Sequence, residues 1–191
     1  MRKGFLFVIS GPSAVGKTSV VEEMLRIDGS LSKIITCTTR AKRGKEVEGK
    51  DYFFVSEDDF LEHVKKNDFM ECSEVYGNFY GVLASTVFEK TNAGIDALLI
   101  INWEGFVKIK KAVSQLPVYG FFIVPPSLEM LEQRIRSRST DSEEVIQTRL
   151  SLAHQDMSHQ NEFHSVYENE GVTKTAHDIL KTINELRKSI S

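Results

Sequence analysis

The hydrophobic positions along the chain form short apolar blocks separated by stretches with helical spacing. Phe5 to Ile9, Ala97 to Ile101 and Tyr119 to Val124 have the length of strands and little polar alternation, which predicts strands buried on both faces. Each block leads into apolar residues three or four positions apart, as Val20 and Met24 are after the first, and this spacing predicts helices. The alternation predicts an α/β fold with a parallel-sheet core.

The pattern changes between residues 34 and 92. Asp51 to Val55 and Phe69 to Val75 are rich in aromatic and β-branched residues, and they flank a short helical stretch from Glu57 to Lys66. Ser56 stands where it can cap that helix. The change predicts an inserted region with a small mixed sheet of its own.

Two further helices are predicted near the end of the chain. A capping box at Thr140-Asp141-Ser142-Glu143 opens one of them, and apolar spacing from Ile179 to Ile190 marks the other. No linker or repeat interrupts the chain. We therefore expect one domain over residues 1–191, with a core at about 1–33, 93–124 and 158–191, an insertion at about 34–92, and a helical segment at about 125–157.

Composition narrows the class of protein. The 191 residues carry a net charge of −3 and are 41% hydrophobic and 27% charged, which suits a globular domain without a general nucleic-acid-binding surface. Cys37 and Cys72 are too few for a disulfide framework and have no metal-ligand spacing. The apolar run after Met1 is too short for a membrane span or a signal peptide. These features predict a cytoplasmic protein that binds neither nucleic acid nor membrane.

One segment carries a phosphate-binding pattern. Between the first predicted strand and its helix, eight residues fit GxxxxGK[ST]: Gly11, Pro12, Ser13, Ala14, Val15, Gly16, Lys17 and Thr18. The glycines let backbone N–H groups surround a phosphate, and the helix N-terminus adds positive potential. Lys17 can reach the β- and γ-phosphates of ATP, and Thr18 can help to hold Mg²⁺. The loop predicts a nucleoside triphosphate site without indicating the phosphate acceptor.

A basic segment at the start of the insertion is a candidate for the acceptor site. Arg40 and Arg43 lie three positions apart within residues 36–43. Arginine binds phosphate through paired, charged hydrogen bonds. A run of Lys and Arg is more often only a solvated loop, so both interpretations stay open on this segment alone.

Three ordered segments give a more specific signal. They are TTRAKRGKEVEGKDYFFV at 38–55, FMECSEVYGNFYG at 69–81 and RIRSRSTDSEEVIQTRL at 134–150. With the phosphate-binding loop in front of them, the chain resembles the guanylate kinase family over nearly its whole length. The resemblance implies a P-loop kinase fold, a GMP-binding region at about 34–92 and a mobile helical lid at about 125–157.

The resemblance implies roles for residues of the GMP-binding region. Glu71 matches the glutamate that faces guanine, and its carboxylate suits the N1–H and N2 donors, a pair that adenine lacks. Without the resemblance, we would interpret Glu71 as a carboxylate on the exposed face of a strand. The side chains that match the GMP phosphate site are Arg40, Arg43, Tyr52 and Tyr80. The full implied GMP-binding set is Thr36, Arg40, Arg43, Tyr52, Glu71, Tyr80 and Asn102.

The resemblance likewise implies an ATP side and a lid. The ATP-binding positions are loop residues 11–18 with Arg134 and Asn169, the latter where family members contact adenine. Arg136 matches no family arginine. Arg134 and Arg138 share a helix face, which is unfavourable without an anion between them; ion pairing with Asp141, Glu143 and Glu144 is the alternative. The implied catalytic residues are Lys17, Arg40, Arg43, Arg134, Arg138 and Arg149.

The implied reaction is phosphoryl transfer from Mg²⁺-bound ATP to GMP, and to dGMP, in purine nucleotide metabolism. No general base is needed, because a phosphate monoester with a second pKa of about 6 is already mostly a dianion at neutral pH. Alignment and charge neutralisation are the main requirements. We expect a monomer or homodimer that has ATP and GMP as its small-molecule partners.

The chain departs from the family pattern at three positions near the predicted site. Ile100 and Asn102 stand where relatives usually have acidic residues, and Val82 stands where Ser or Thr contacts guanine. Losing one hydrogen bond would weaken GMP binding by about tenfold at most. Two alternatives remain at this stage: a related kinase for a sugar phosphate, and a catalytically silent guanylate-kinase-like binding module.

Overall fold

A computed structural model describes residues 2–75, 77–138 and 143–189, with Arg138 described by its backbone alone. The first three residues of the predicted capping box at 140–143, and Ile190, lie outside the described residues. Within the described ranges, no helix is both long enough and apolar enough to cross a membrane.

The chain alternates between strands and helices from its first element to its last. The elements, in chain order, are β1 (Leu6–Ser10), α1 (Lys17–Ile27), β2 (Leu31–Lys33), β3 (Thr36–Thr38), β4 (Tyr52–Phe54), α2 (Glu57–Lys65), β5 (Phe69–Val75), β6 (Asn78–Leu83), α3 (Ala84–Asn92), β7 (Asp96–Ile100), α4 (Trp103–Ala112), β8 (Val118–Val124), α5 (Leu128–Arg138), α6 (Glu143–Ser158), β9 (Ser165–Glu168) and α7 (Val172–Ser189).

The larger sheet is parallel throughout, with the order β2-β7-β1-β8-β9. Its three central strands are the three apolar blocks of the sequence, so the predicted α/β fold is confirmed. The sequence did not predict β2 and β9, which form the two edges. They are short and only partly buried, so neither produces a continuous apolar block.

The core lies on both faces of this sheet, and β1 divides its side chains between them. Phe7 and Ile9 pack into one cluster with α1 and α7, whereas Leu6 and Val8 pack into another with α3 and α4. Successive side chains of a strand point to opposite faces, so a strand between two helical layers needs apolar residues at every position. This requirement explains the unbroken apolar run that leads into the phosphate-binding loop.

The inserted region contains the second sheet, with the order β4-β3-β6-β5. β3 and β4 are parallel, while β6 runs antiparallel to both β3 and β5. The predicted strand at 69–75 matches β5, and Ser56 caps α2 by accepting a hydrogen bond from the Asp59 N–H. The predicted mixed sheet is therefore confirmed, whereas the division of the chain into core, GMP-binding insertion and lid stays a prediction.

Asp96, at the start of β7, forms hydrogen bonds with residues near both ends of the chain. Its carboxylate accepts hydrogen bonds from Arg2 (3.1 Å), Arg187 (2.7 Å) and the Phe5 N–H (2.9 Å), and its side chain is 3% exposed. Burial alone would raise the pKa of Asp96, but these hydrogen bonds and the Arg187 charge outweigh it and lower the pKa below its ordinary value. This carboxylate therefore stabilises the fold in its ionised form.

Candidate active site

A cavity of about 500 Å³ lies between the phosphate-binding loop, β5 and β6 of the second sheet, and the start of α4. α6 contributes to its wall. The predicted residues that line this one cavity are Gly11, Ser13, Lys17, Thr36, Arg43, Tyr52, Glu71, Tyr80, Asn102 and Arg149. Residues of the predicted ATP side and of the predicted GMP side therefore face the same space.

The loop between β1 and α1 has the backbone conformation that its glycines were expected to provide. Gly11 has φ 140° and Gly16 has φ 104°, a region that favours glycine. A Cβ at Gly11 would also lie 2.2 Å from the Ile123 carbonyl oxygen. The Lys17 ammonium donates to the carbonyl oxygens of Gly11 (2.7 Å) and Pro12 (2.8 Å). The Lys17 side chain thus folds back onto the start of the loop and lines the cavity.

Two predicted ATP-side residues contact the loop itself. Asn169 is buried and donates from Nδ2 to the Val15 carbonyl at 2.7 Å, while its Oδ1 accepts from Thr175 at 3.1 Å. Arg134 donates to the same Val15 carbonyl at 3.3 Å. In this structure Asn169 holds the phosphate-binding loop against β9 and α7. Its contact with adenine stays a prediction.

Arg40, predicted to bind GMP, is buried and is not among the residues that line the cavity. It is held by a carboxylate that the sequence analysis did not single out. Its Nη2 donates to Glu46 Oε1 at 2.7 Å, and the other Glu46 oxygen accepts from the Arg43 N–H at 2.7 Å. The guanidinium also lies over the Tyr52 ring, 5.4 Å from its centroid. Burial alone would raise the pKa of Glu46, but Arg40 and Arg43 lower it. Glu46 therefore orders the segment that carries both predicted acceptor arginines.

The predicted guanine reader, Glu71, is buried rather than at the surface. Its side chain is 2% exposed, and it lies on β5 opposite Val82 of β6. Burial raises the pKa of the Glu71 carboxyl above its ordinary value. Among the described residues, nothing hydrogen-bonds to Oε1 of this carboxylate. A buried carboxylate oxygen that accepts no hydrogen bond at a cavity wall is suited to a ligand that brings N–H donors.

Asn102, at the position where the resemblance implies an acidic residue, stands at the junction of β7 and α4. Its Oδ1 accepts from the Gly105 N–H at 2.9 Å, which caps the helix. Asparagine and aspartate are comparable caps, so the substitution removes a negative charge from the cavity and keeps the start of α4 in place.

The arginines of the predicted lid have different surroundings. Arg149, on α6, lines the cavity. Arg136 forms ion pairs with Glu132 and Glu143, at 2.8 and 2.6 Å. Glu143, one of the acidic residues considered for neutralising Arg134 and Arg138, thus pairs with the one arginine that matched no family position. The Arg138 side chain and Asp141 lie outside the described structure.

Asp156 was not predicted and also lines the cavity. Burial raises its pKa to about 6, although the Lys17 charge acts to lower it. A carboxylate that titrates near neutral pH beside a phosphate site is a feature of functional clefts. Because its spacing from other acidic residues forms no motif, only the fold reveals its position.

The residues present fit a Mg²⁺ ion that arrives with a nucleotide. Across the described ranges, no three His, Cys, Asp or Glu side chains are grouped so that they could hold a metal on their own. Mg²⁺ usually keeps several waters and takes one or two protein ligands together with substrate phosphates. Thr18 lies next to Lys17 in the first turn of α1, and its role as such a ligand stays a prediction.

The comparisons with known proteins agree on one family. The family model described as Guanylate kinase matches residues 3–186. A curated guanylate kinase of Rickettsia felis is 42% identical over 184 residues, which is 96% of this chain and 93% of that protein. One of Haemophilus influenzae is 39% identical over 190 residues, covering 98% of this chain and 90% of that protein.

Solved structures give the same result. The crystal structure of a guanylate kinase from Anaplasma phagocytophilum superimposes with a TM-score of 0.80 at 31% identity, covering 97% of this chain and 87% of that chain. A gluconokinase from Sinorhizobium meliloti superimposes with a TM-score of 0.53 at 12% identity, covering 100% and 97%. At that identity, the second match shows the fold alone.

Proposed function

Because the chain belongs to the guanylate kinase family of enzymes, which phosphorylate GMP with ATP, we propose that it transfers the γ-phosphoryl group of Mg²⁺-bound ATP in line to GMP or dGMP. The observation that carries the finer proposal is the shared cavity. Lys17 of the phosphate-binding loop and Glu71 of the second sheet face the same space. In-line transfer needs a donor phosphate and an acceptor held against each other.

The acceptor side supports a nucleotide that has guanine at one end and phosphate at the other. Glu71 offers a buried, unfilled acceptor to the base, and Arg43 with the hydroxyls of Tyr52 and Tyr80 offers donors to the phosphate. dGMP carries the same base and the same phosphate as GMP. We therefore propose that both are acceptors and that AMP is rejected, since adenine would leave the buried carboxylate unpaired.

On the donor side, Lys17 would exchange its contacts with the Gly11 and Pro12 carbonyls for oxygens of the transferring phosphate. Thr18 would help to hold Mg²⁺, which would neutralise phosphate charge on ATP. Arg43 and Arg149 line the same cavity and would balance the charge that spreads over the transferring group. No residue has to remove a proton, because the acceptor phosphate has a second pKa of about 6.

Exclusion of water is the remaining requirement. Arg149, Leu152, Gln155 and Asp156 bring one face of α6 to the cavity wall, so movement of α6 would change how much water reaches the phosphates. We propose that α5 and α6 close after the acceptor binds, which would prevent wasteful hydrolysis of ATP. The placement in purine nucleotide metabolism follows from these substrates, and the cytoplasmic location and oligomeric state stay predictions.

Initial rates of Mg²⁺-dependent ADP formation test this function. GMP, dGMP, AMP and a reaction without acceptor are compared at saturating ATP. We expect ADP formation with GMP and dGMP, and almost none with AMP or without acceptor. ADP formation at equal rates without acceptor would indicate an uncoupled ATPase and would refute the closure argument. GMP binding without turnover would indicate a silent binding module.

A further inference from the structure

Lys108 is the cation next to the Glu71 carboxylate. Its Nζ lies 3.6 Å from Glu71 Oε1 and donates to the Cys72 carbonyl at 3.4 Å. The lysine side chain is 56% exposed, whereas that of Glu71 is 2% exposed. The ammonium therefore approaches from the solvent side and is anchored on the β5 backbone. Glu71 is among the residues that line the cavity, and Lys108 is not.

The position of α4 leaves the carboxylate little freedom to turn. A Cβ at Gly105, in the first turn of α4, would lie only 3.1 Å from the Glu71 Cδ and Oε2 atoms. The helix backbone thus packs against one carboxylate oxygen, and the Lys108 ammonium lies near the other. Gly105 and Lys108 both belong to α4, so this helix borders both oxygens of the Glu71 carboxylate.

We propose that Lys108 is a positioning residue for guanine selection, which holds the Glu71 carboxylate ionised and directed toward the cavity. This rests on the proposed function, in which Glu71 accepts the N1–H and N2 donors of GMP. A protonated carboxyl presents a donor at one oxygen and cannot accept both guanine groups. At 3.6 Å the ammonium supplies opposite charge while Oε1 makes no hydrogen bond to it, so that oxygen stays available to the base.

The groups around Glu71 support this role. Burial raises the pKa of the carboxyl, and the Lys108 charge is the largest influence that lowers it. Ser73 on β5 also lowers this pKa, whereas Glu104 on α4 raises it. The Cys72 thiol on β5 has a raised pKa of its own and is uncharged near neutral pH, and Val82 on β6 carries no charge. Without Lys108, burial and Glu104 would still raise the pKa of Glu71, and mainly Ser73 would be left to lower it.

Two measurements on Lys108→Met test the proposal, with Lys111→Met as the matched control on the same helix. The first is a carbon-13 NMR titration of the Glu71 side-chain carboxyl in protein without nucleotide. The second compares KM for GMP, KM for ATP and kcat at pH 6 and pH 8. GMP's own phosphate titrates in this range, so each value is divided by the wild-type value at the same pH.

We expect Glu71 to titrate at a higher pH in Lys108→Met than in wild type or Lys111→Met. KM for GMP should rise about three- to tenfold at pH 6 and less at pH 8, since the ion pair is partly exposed. KM for ATP and kcat should stay within twofold of wild type. Lys108→Arg should restore the wild-type titration and most of the GMP affinity.

An unchanged Glu71 titration in Lys108→Met would overturn the proposal, as would a rise in KM for GMP that is equal at both pH values. A failure of the proposed function has a different signature. Wild-type protein would then form no ADP with GMP, while the NMR titration, which needs no substrate, would still decide whether Lys108 controls Glu71.

Discussion

Glu46 provides a sharp test of how the acceptor arginines are arranged, through the variant Glu46→Gln. Glu46 accepts from both Arg40 Nη2 and the Arg43 N–H at 2.7 Å, one through each carboxylate oxygen. Glutamine keeps the shape and has only one oxygen. The glutamine oxygen can still accept one of these two hydrogen bonds. The amide NH₂ group would then face the other N–H donor, which it cannot accept. The segment from residue 40 to residue 46 should therefore lose its order before GMP binds.

The structure gives the size of the expected effect. A hydrogen bond to a charged group contributes about 1.5–3 kcal/mol. The Glu46 side chain is 24% exposed, so we take the lower end, about 1.5 kcal/mol, which corresponds to roughly a tenfold rise in KM for GMP. Glu46 holds both Arg40 and the backbone of Arg43, one through each carboxylate oxygen. We therefore expect Glu46 to assist GMP by orienting this segment and not to compete with it.

The assay is steady-state ADP formation at saturating ATP, with GMP varied. Glu48→Gln is the control, because it removes the same charge from the same loop while its carboxylate contacts the Phe54 N–H instead of an arginine. KM for GMP should rise in Glu46→Gln and remain near wild type in Glu48→Gln. A fall in KM for GMP in Glu46→Gln alone would refute the reasoning, since it would mean that Glu46 competes with the substrate phosphate for Arg40.

Three further predictions follow from other contacts. Asp96→Asn should lower the free energy of unfolding, measured by urea denaturation, by about 1–3 kcal/mol at pH 7. Since the pKa of Asp96 is lowered in the fold, the difference from wild type should shrink as the pH falls through that pKa. A difference that stays constant with pH would argue against an ionic role. Val82→Thr should lower KM for GMP by up to about tenfold, and an unchanged KM would mean that this buried side chain does not contact the base. Asn169→Ala should raise KM for ATP by about tenfold, because the hydrogen bond to the Val15 carbonyl is lost. Asn184→Ala, on the surface of α7, is the control. Equal effects of the two variants on KM for ATP would argue against a role of Asn169 in holding the phosphate-binding loop.

The parts of the fold that could be predicted are those whose signal is contained in consecutive residues. β1, β7 and β8 lie between two helical layers, so each is a continuous apolar run that can be read without knowing its neighbours. The edge strands β2 and β9 are partly exposed and form because an adjacent strand offers hydrogen-bonding groups. Such strands depend on tertiary context, which single-sequence periodicity does not contain.

The same distinction applies to the site. The phosphate-binding loop was predictable because its eight residues are adjacent and include their own glycines. Glu46 and Lys108 were missed because their importance lies in contacts with Arg40 and Glu71, which no local spacing indicates. Asp156 is a similar case, since only the packing of α6 brings it to the cavity.

The hydrogen bond from Asn169 to the Val15 carbonyl joins residues 154 positions apart in the chain. A ribosome adds roughly 5–20 residues per second, so the phosphate-binding loop is translated roughly 8–30 seconds before the residue that braces it. β1 likewise cannot form its strand pairs until β7 and β8, its neighbours on either side, have been synthesised. Nucleotide binding by this loop should therefore emerge only when synthesis is nearly finished. During translation the apolar β1 segment therefore stays without its neighbouring strands, and we expect a truncated chain that ends before β9 to lack ATP affinity.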